Sequence, residues 1–197
     1  MTNNVQPTLE TIRLILRPFD LSDASRVQLL AGDEAIASTT LNIPNPYEDG
    51  VAEAWIATHQ KGFENGELVN FAIILRTTNE LIGTIGLVIQ QEHNRAELGY
   101  WIGKPYWNQG YCTEAAWEVI RYGFERLSLN RVHAMHLSRN PASGKVMRKI
   151  WMRHEGTRRK HILKWGIFED VELYGILREE FEQHRRSSYA ETNSFQQ

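Results

Sequence analysis

The sequence predicts one mixed α/β domain, and two observations carry that expectation. The hydrophobic period switches along the chain in the order strand, helices, three strands, helix, strand, helix, two strands. Residues 70–102 form three strand-like runs joined by short turns, an antiparallel meander against which helices can pack. The 197 residues, 42% hydrophobic and 23% charged, suffice for one sizeable core. No period of 20–50 residues repeats, which excludes a solenoid. The expected division is a single domain over 1–182 and a loose polar tail over 183–197, QHRRSSYAETNSFQQ.

The first strand is Thr11 to Pro18, where Ile12, Leu14 and Leu16 alternate with Arg13, Ile15 and Arg17. Leu21-Ser22-Asp23 then starts a helix that Ser22 or Asp23 can cap and whose apolar face Leu29 and Leu30 close. Residues 32–41 are short and mixed, and Asn42 to Pro46 is a loop. Val51, Ala54, Trp55 and Thr58 stand at helical spacing within a helix over 47–63, which Asn65-Gly66 ends. The meander strands are 70–76, 81–91 and 96–102. Ala116, Val119, Ile120, Gly123, Phe124 and Leu127 then mark a helical stripe. Arg131 to Leu137 is a strand. Asn140-Pro141 opens a helix with Asn as cap, Pro at the first position, and Val146, Met147 and Ile150 buried. Residues 155–163 and 168–177 form a closing hairpin around Lys164-Trp165-Gly166.

Charge and composition narrow the function. The net charge of −2 argues against DNA and bulk nucleic-acid binding. Residues 1–100 hold 13 acids and 6 bases, whereas residues 101–197 hold 11 acids and 16 bases, so an anionic ligand suits the second half and a cationic one the first. No apolar run approaches a membrane span, and MTNNVQPTLE lacks a signal pattern. The single Cys112 excludes an internal disulfide. A cytoplasmic protein, monomer or homodimer, is expected. The seven histidines show no H-E-x-x-H, and His133 and His136 face opposite ways on one strand, so no metal is expected.

The most informative stretch is AELGYWIGKPYWNQGYCTEAA, residues 96–116. A strand breaks at Gly103-Lys104-Pro105, and Gly110 opens a helix. Its first N–H groups and the helix dipole favour an anion there, with Asn108 to Cys112 as donors. Neither G-x-x-x-x-G-K-[ST] nor G-x-G-x-x-G is present. An ordinary tight turn is the alternative.

Together, GYWIGKPYWNQGYCTEA and NPASGKVMRKIWMRHEG resemble the acetyl-CoA-binding core of the GNAT superfamily of N-acetyltransferases, and within it the subgroup of ribosomal-protein N-terminal acetyltransferases. The resemblance runs from Leu14 to Leu177. It implies a mixed, largely antiparallel seven-stranded sheet, splayed in the middle, with helices on both faces. It also implies that the pantetheine of acetyl-CoA pairs with the backbone of Tyr100, Trp101 and Ile102. The pyrophosphate would sit on the N–H groups from Gln109 through Gly110, Tyr111 and Cys112 to Thr113. Asn140 would bond the pantetheine, and the turn from Asn140 to Ser143 would lie near the thioester sulfur. The sequence departs from the family pattern at several places. Trp107 replaces a basic residue or Gln, and Cys112 a small residue. Met147 stands where many relatives carry a tyrosine acid. Trp151 replaces a helix-ending glycine, so a locally altered turn is expected.

Acetyl transfer to an amine needs a base, an oxyanion donor and a partner for the leaving thiolate. Glu97 is the candidate base, acting through one or two waters; the alternative is a solvent-facing carboxylate or one paired with Arg95. Ser143 is the candidate donor to the thiolate, or else a first-turn serine bonded to a backbone N–H. Backbone N–H groups near Ile102 can serve the oxyanion. Cys112 could instead carry an acetyl-cysteine intermediate, but no His lies near it in sequence and a small buried residue is the simpler reading. The α-amine of a protein N-terminus, of the ribosomal-protein-alanine type that the resemblance implies, is the expected acceptor, because the α-amino pKa of about 7.7–8.0 lies well below the roughly 10.4 of Lys. The alternatives are a small-molecule amine such as a polyamine, amino acid or aminoglycoside, and a catalytically weak acetyl-CoA-binding regulatory module. An RNA-binding module using the cluster of Lys145, Arg148, Lys149, Arg153, Arg158, Arg159 and Lys160 is a third. Residues 42–63 and 164–168 are expected to set the acceptor, with Tyr47, Trp55, Trp101 and Trp107 as candidate walls.

Overall fold

Leu9–Glu10 (β1) and Leu14–Arg17 (β2) begin the sheet in the computed structural model, which describes residues 5–194, with side chains as far as Ser187. Residues 1–4 and 195–197, which include the start of MTNNVQPTLE and the end of the expected tail, lie outside the described residues. Leu14 and Leu16 are fully buried, as the alternation of β2 requires. The meander follows as Leu68–Leu75 (β3), Glu80–Gln90 (β4) and Arg95–Ile102 (β5). Arg131–Leu137 (β6) and the hairpin Arg153–Lys164 (β7) and Ile167–Leu177 (β8) complete it. The order is β1-β2-β3-β4-β5-β6-β8-β7. The sheet has eight strands, not seven, because β1 pairs Leu9 with Leu16 and Glu10 with Ile15. Every pairing is antiparallel except β5 with β6.

That one parallel pairing shapes the molecule. It covers only Arg95↔Arg131, Ala96↔Val132 and Glu97↔His133, and then stops. Beyond Glu97 each strand keeps its outer partner, β5 with β4 as far as Ile102 and β6 with β8 as far as Leu137. The sheet therefore opens like a V from Glu97 onward.

Helices cover both faces. Ala24–Ala31 (α1), Glu34–Thr39 (α2), Val51–Ala57 (α3) and His59–Glu64 (α4) precede the meander. Asp20, not Ser22 or Asp23, caps the short 3₁₀ turn Leu21–Asp23 ahead of α1, in a reciprocal capping box with Asp23. Leu29 does not close the apolar face of α1, being exposed, whereas Leu30 is buried. The stretch 32–41 contains α2 because Asp33 accepts from the N–H of Ala35 at 2.8 Å. The helix expected over 47–63 is two helices, broken at Thr58, whose N–H and hydroxyl both turn back to Trp55 O. Ala24, Val27 and Ile56 pack here with Ala72, Ile74 and Leu81 of the sheet. On the opposite face lie Tyr111–Glu125 (α5) and Pro141–Lys149 (α6), burying Val119, Ile120 and Met147 against Phe71, Ile85 and Leu87.

Arg178–Ser194 (α7) overturns the expected loose tail from Gln183. Phe181 is buried against Trp117 and Phe124, and His184 stacks on Trp151 at 4.6 Å, so packing anchors the first two turns of this polar sequence as helix. Trp151 also corrects the altered turn expected there. It adopts φ +65°, the conformation glycine would take. The N–H of Trp151 bonds Arg148 O at 3.1 Å and that of Met152 bonds Met147 O at 3.0 Å, a complete Schellman ending. Its indole meets Trp117 edge-on at 4.5 Å.

Candidate active site

The V between β5 and β6 is a cleft of about 840 Å³, open to both faces of the sheet. Of the sequence-predicted residues, it brings together Glu97, Tyr100, Trp101, Ile102, Gly110, Tyr111, Cys112, Thr113, Asn140 and Ser143. Gln109 is not on its wall. Its carbonyl accepts from Arg13 at 2.9 Å and its side chain donates to Pro105 O.

One wall is the inner edge of β5. Gly103 N–H bonds Ile82 O of β4 at 2.8 Å, and strand alternation then turns the backbone groups of Trp101 towards β4 and those of Tyr100 and Ile102 towards the cleft. Two of the three residues expected to pair with a pantetheine thus face it with their main chain. Trp107 donates its indole N–H to Ile102 O at 2.6 Å.

The floor is the start of α5. Gly110 at φ +80° reverses the chain, and the first helical bond runs from Glu114 N–H to Gly110 O at 3.1 Å. The N–H groups of Tyr111, Cys112 and Thr113 lie ahead of it without an intrahelical acceptor, a donor set that can hold a phosphate. Arg13 braces this turn. It pairs with Glu114 at 2.6 Å and lies over the Tyr111 ring at 4.6 Å. Burial works against the charge of Glu114. Hydrogen bonds from Thr11, the Arg13 N–H and the Arg13 guanidinium outweigh it and hold the carboxyl below its ordinary range. Burial pushes the Cys112 thiol far up, so it stays protonated and is a poor nucleophile.

The facing wall is the start of α6. Asn140 caps it, accepting from Ser143 N–H at 3.4 Å while its amide donates to Thr39 O at 3.3 Å. Its side chain is therefore engaged within the protein. Ser143 and Tyr100 meet across the V. The phenol oxygen lies 2.8 Å from Ser143 Oγ and 3.1 Å from Ser143 O. Burial raises the phenol, above all other influences. Sequence reasoning used Tyr100 for its backbone alone and missed this side chain. The only available signal was the odd–even alternation of β5, which sends Tyr100 to the α6 face and Glu97 to the other.

On that other face Glu97 stands at the apex of the V. Burial raises its carboxyl above the ordinary value. It is not paired with Arg95, which bonds Gln90 at 2.6 Å. His133 Nε2 lies 3.9 Å from Glu97 Oε2, and burial, with Arg131 and Arg95 adding to it, lowers the imidazole. Tyr47, Trp55 and Trp101 wall the cleft on this side, with Asn42, Ile43 and Pro44 at its rim. Lys164 reaches over from the β7–β8 hairpin to Leu41 O and Ile43 O at 3.4 and 3.3 Å.

The basic cluster does not act as one patch. Lys145 and Lys149 border the cleft, Arg148 donates to Tyr174 and Arg153 pairs with Glu180. Among the described residues no group of three or more His, Cys, Asp or Glu could hold a metal, and no helix is long and apolar enough to cross a membrane.

Comparison with known proteins bears on this cleft. The family described as "Acetyltransferase (GNAT) domain" matches residues 13–153. An uncharacterised N-acetyltransferase of Bacillus subtilis, YoaA, is 33% identical over 174 residues, 87% of this chain and 97% of that protein. The FsC-acetyl coenzyme A-N(2)-transacetylase of Aspergillus fumigatus is 30% identical over 210 residues, 99% of this chain and 86% of that one. The crystal structure of a GNAT-family acetyltransferase from Bacillus anthracis is similar with a TM-score of 0.78 at 29% identity, covering 88% of this chain and all of that one.

Proposed function

The chain belongs to the GNAT family of acetyltransferases, and on that premise we propose that its acceptor is an α-amine, foremost that of a protein N-terminus, acetylated by direct attack in a ternary complex. Membership makes the protein an acetyl-CoA-dependent N-acetyltransferase. The proposal concerns the acceptor and the residues that act on it.

One observation carries it: among the described residues, Glu97 is the one carboxylate lining the cleft. A polyamine or an aminoglycoside brings several cations and would call for several carboxylates. A single α-ammonium needs one, and at a pKa of about 7.7–8.0 it yields its proton readily near neutral pH. Glu97, raised by burial, takes that proton through water. Acetyl-CoA enters from the α5–α6 face, with its pyrophosphate on the N–H groups of Tyr111 to Thr113 and its pantetheine along Tyr100 and Ile102. The amine enters from the Glu97 face, so the two substrates meet in the V. The Ile102 N–H side of the strand faces the thioester oxygen, and the Ser143 hydroxyl faces the sulfur. Lys145 and Lys149 stand near the cofactor's phosphates. The one free thiol, Cys112, suits a reducing cytoplasm.

A second reading has its own support. The aromatic walls Tyr47, Trp55 and Trp101 also suit a small amine with an apolar body, and the A. fumigatus relative is named for transfer to an N(2) nitrogen. Thiol release from acetyl-CoA, measured over peptides, polyamines, amino acids and aminoglycosides, separates the two. The highest kcat/KM is expected for peptides with an uncharged first residue. Preference for a polyamine or an aminoglycoside would overturn the one-carboxylate argument, and preference for apolar small amines would favour the second reading.

A further inference from the structure

We propose that Tyr100 is a positioning residue for the leaving group: its phenol orients the Ser143 hydroxyl towards the sulfur of coenzyme A once the thioester breaks. This rests on the acetyl-transfer reading of the cleft.

The geometry offers the phenol proton two acceptors on one residue. Tyr100 Oη is 3.1 Å from the Ser143 carbonyl and 2.8 Å from Ser143 Oγ. In the first arrangement the phenol donates to the carbonyl and accepts from Oγ–H. In the second it donates to Oγ, and the serine proton is released to point elsewhere. A neutral thioester sulfur is a weak acceptor and gains little from the second arrangement. A thiolate is a strong one, and charge-assisted bonds are roughly twice as strong as neutral ones. The switch therefore favours the transition state and the thiolate over the ground state, which is the condition for catalysis.

Both partners sit on rigid elements. Tyr100 is held by its pairing with Ile85 of β4, and Ser143 lies in the first turn of the helix capped by Asn140. Burial keeps the phenol neutral, so it remains a donor throughout the working pH range. Met147, in the family's tyrosine position, is buried in the core and has no proton to offer. The phenol that Met147 cannot supply from α6 thus arrives from β5 and acts through the Ser143 hydroxyl, which removes the main reason for reading the chain as a catalytically weak module.

The step balances without ionising Tyr100. The acceptor ammonium loses one proton to Glu97 and its water before attack. The amine nitrogen bonds the carbonyl carbon, and the C–S bond breaks with its electron pair on sulfur. The second nitrogen proton leaves by the same water. Sulfur, held by Ser143 Oγ–H, takes one proton from solvent to leave as the thiol, so one proton is released overall.

Two measurements on the full chain test the proposal. The first titrates bound coenzyme A by its ultraviolet thiolate absorbance and needs no acceptor, so it reads independently of whether the amine is correctly identified. The bound thiol should ionise about one pH unit or more below free coenzyme A, and Tyr100→Phe and Ser143→Ala should each remove most of that difference. Ionisation of wild-type complex and free coenzyme A at the same pH would overturn the proposal, even if Tyr100→Phe failed to fold. The second is a double-mutant cycle on turnover with the best acceptor. Each single variant should lower kcat about 10- to 100-fold, with KM for acetyl-CoA nearly unchanged. The double variant should be no worse than the worse single, because the phenol acts through the serine. A wild-type kcat in Tyr100→Phe, or losses that multiply, would overturn it. If wild type acetylates no amine while the titration behaves as expected, the function reading fails and the thiolate device stands.

Discussion

Trp151→Gly puts glycine at a left-handed position at the end of α6, and a backbone argument alone would expect stabilisation. The structure leads to the opposite expectation. Trp151 occupies φ +65°, where a non-glycine backbone costs about 1–2 kcal/mol that glycine would recover. Against this stands the indole, packed between Trp117 at 4.5 Å and His184 at 4.6 Å. A largely buried indole removes on the order of 150 Å² from water, about 4 kcal/mol at 25 cal/mol per Å². Its two ring contacts add about 1 kcal/mol. The net effect of Trp151→Gly is then a loss of about 3 kcal/mol. Trp151→Ala loses the same ring and keeps the backbone strain, so it should lie about 1 kcal/mol below Trp151→Gly. Urea unfolding of the three chains, followed by far-ultraviolet circular dichroism, measures both differences. Trp151→Gly as stable as wild type would refute the packing argument. Trp151→Ala above Trp151→Gly would refute the assignment of strain.

Three further outcomes can be measured. Glu97→Gln should lower kcat about 100-fold, and it should also remove the acidic limb of the pH–rate profile. Burial raises the Glu97 carboxyl, so in wild type that limb, where activity falls with falling pH, lies above the ordinary glutamate value of about 4.3. Gly144→Ala places a Cβ 2.6 Å from His136 Nε2. Moving the start of α6 to relieve that clash should cost about 1–3 kcal/mol in urea unfolding and lower kcat, because Ser143 moves with it. Glu172 is brought down to about 2 by hydrogen bonds from Ser138, Thr157 and His154. Its folded value lies below its unfolded one, so the carboxylate stabilises the fold above about pH 4.3 and the contribution fades as pH falls towards 2. Glu172→Gln should therefore be less stable than wild type at pH 6 and indistinguishable from it near pH 2.

Local signals made part of the fold legible. The strand Arg131–Leu137 and the Asn140 cap with Pro141 behind it match their readings residue for residue, because alternation and capping chemistry are written in neighbouring positions. Elements whose stability comes from afar were not legible. Leu9–Glu10 is a strand of two residues with no period of its own. The described turns of α7 are anchored by Phe181, His184 and Arg185, and what those anchors touch lies on α5 and at Trp151. Trp151 misled for the same reason. Its backbone preference is local, but the ring contacts that override it join three separate helices.

The site divides along the same line. The helix-start loop at Gly110 and the candidate base Glu97 could be named from sequence, since one is a backbone device and the other a residue type on a recognisable strand. The partner of each functional group could not. Tyr100 and Ser143 are 43 positions apart, and Arg13 reaches Gln109 across 96. Their meeting depends on where the β5–β6 ladder stops, a single feature of register at Glu97↔His133. Ending it there sets three things at once. It frees the inner edge of β5, it leaves Glu97 at the apex on the face walled by Tyr47, Trp55 and Trp101, and it lets the Tyr100 phenol cross the gap to α6. A tyrosine on α6 would have to come from a helix position that in this chain is committed to the core as Met147. Placing the phenol on β5 instead ties the Ser143 side of the cleft to the same strand that carries Glu97, so that one rigid element spaces the Glu97 carboxyl and the Tyr100 phenol.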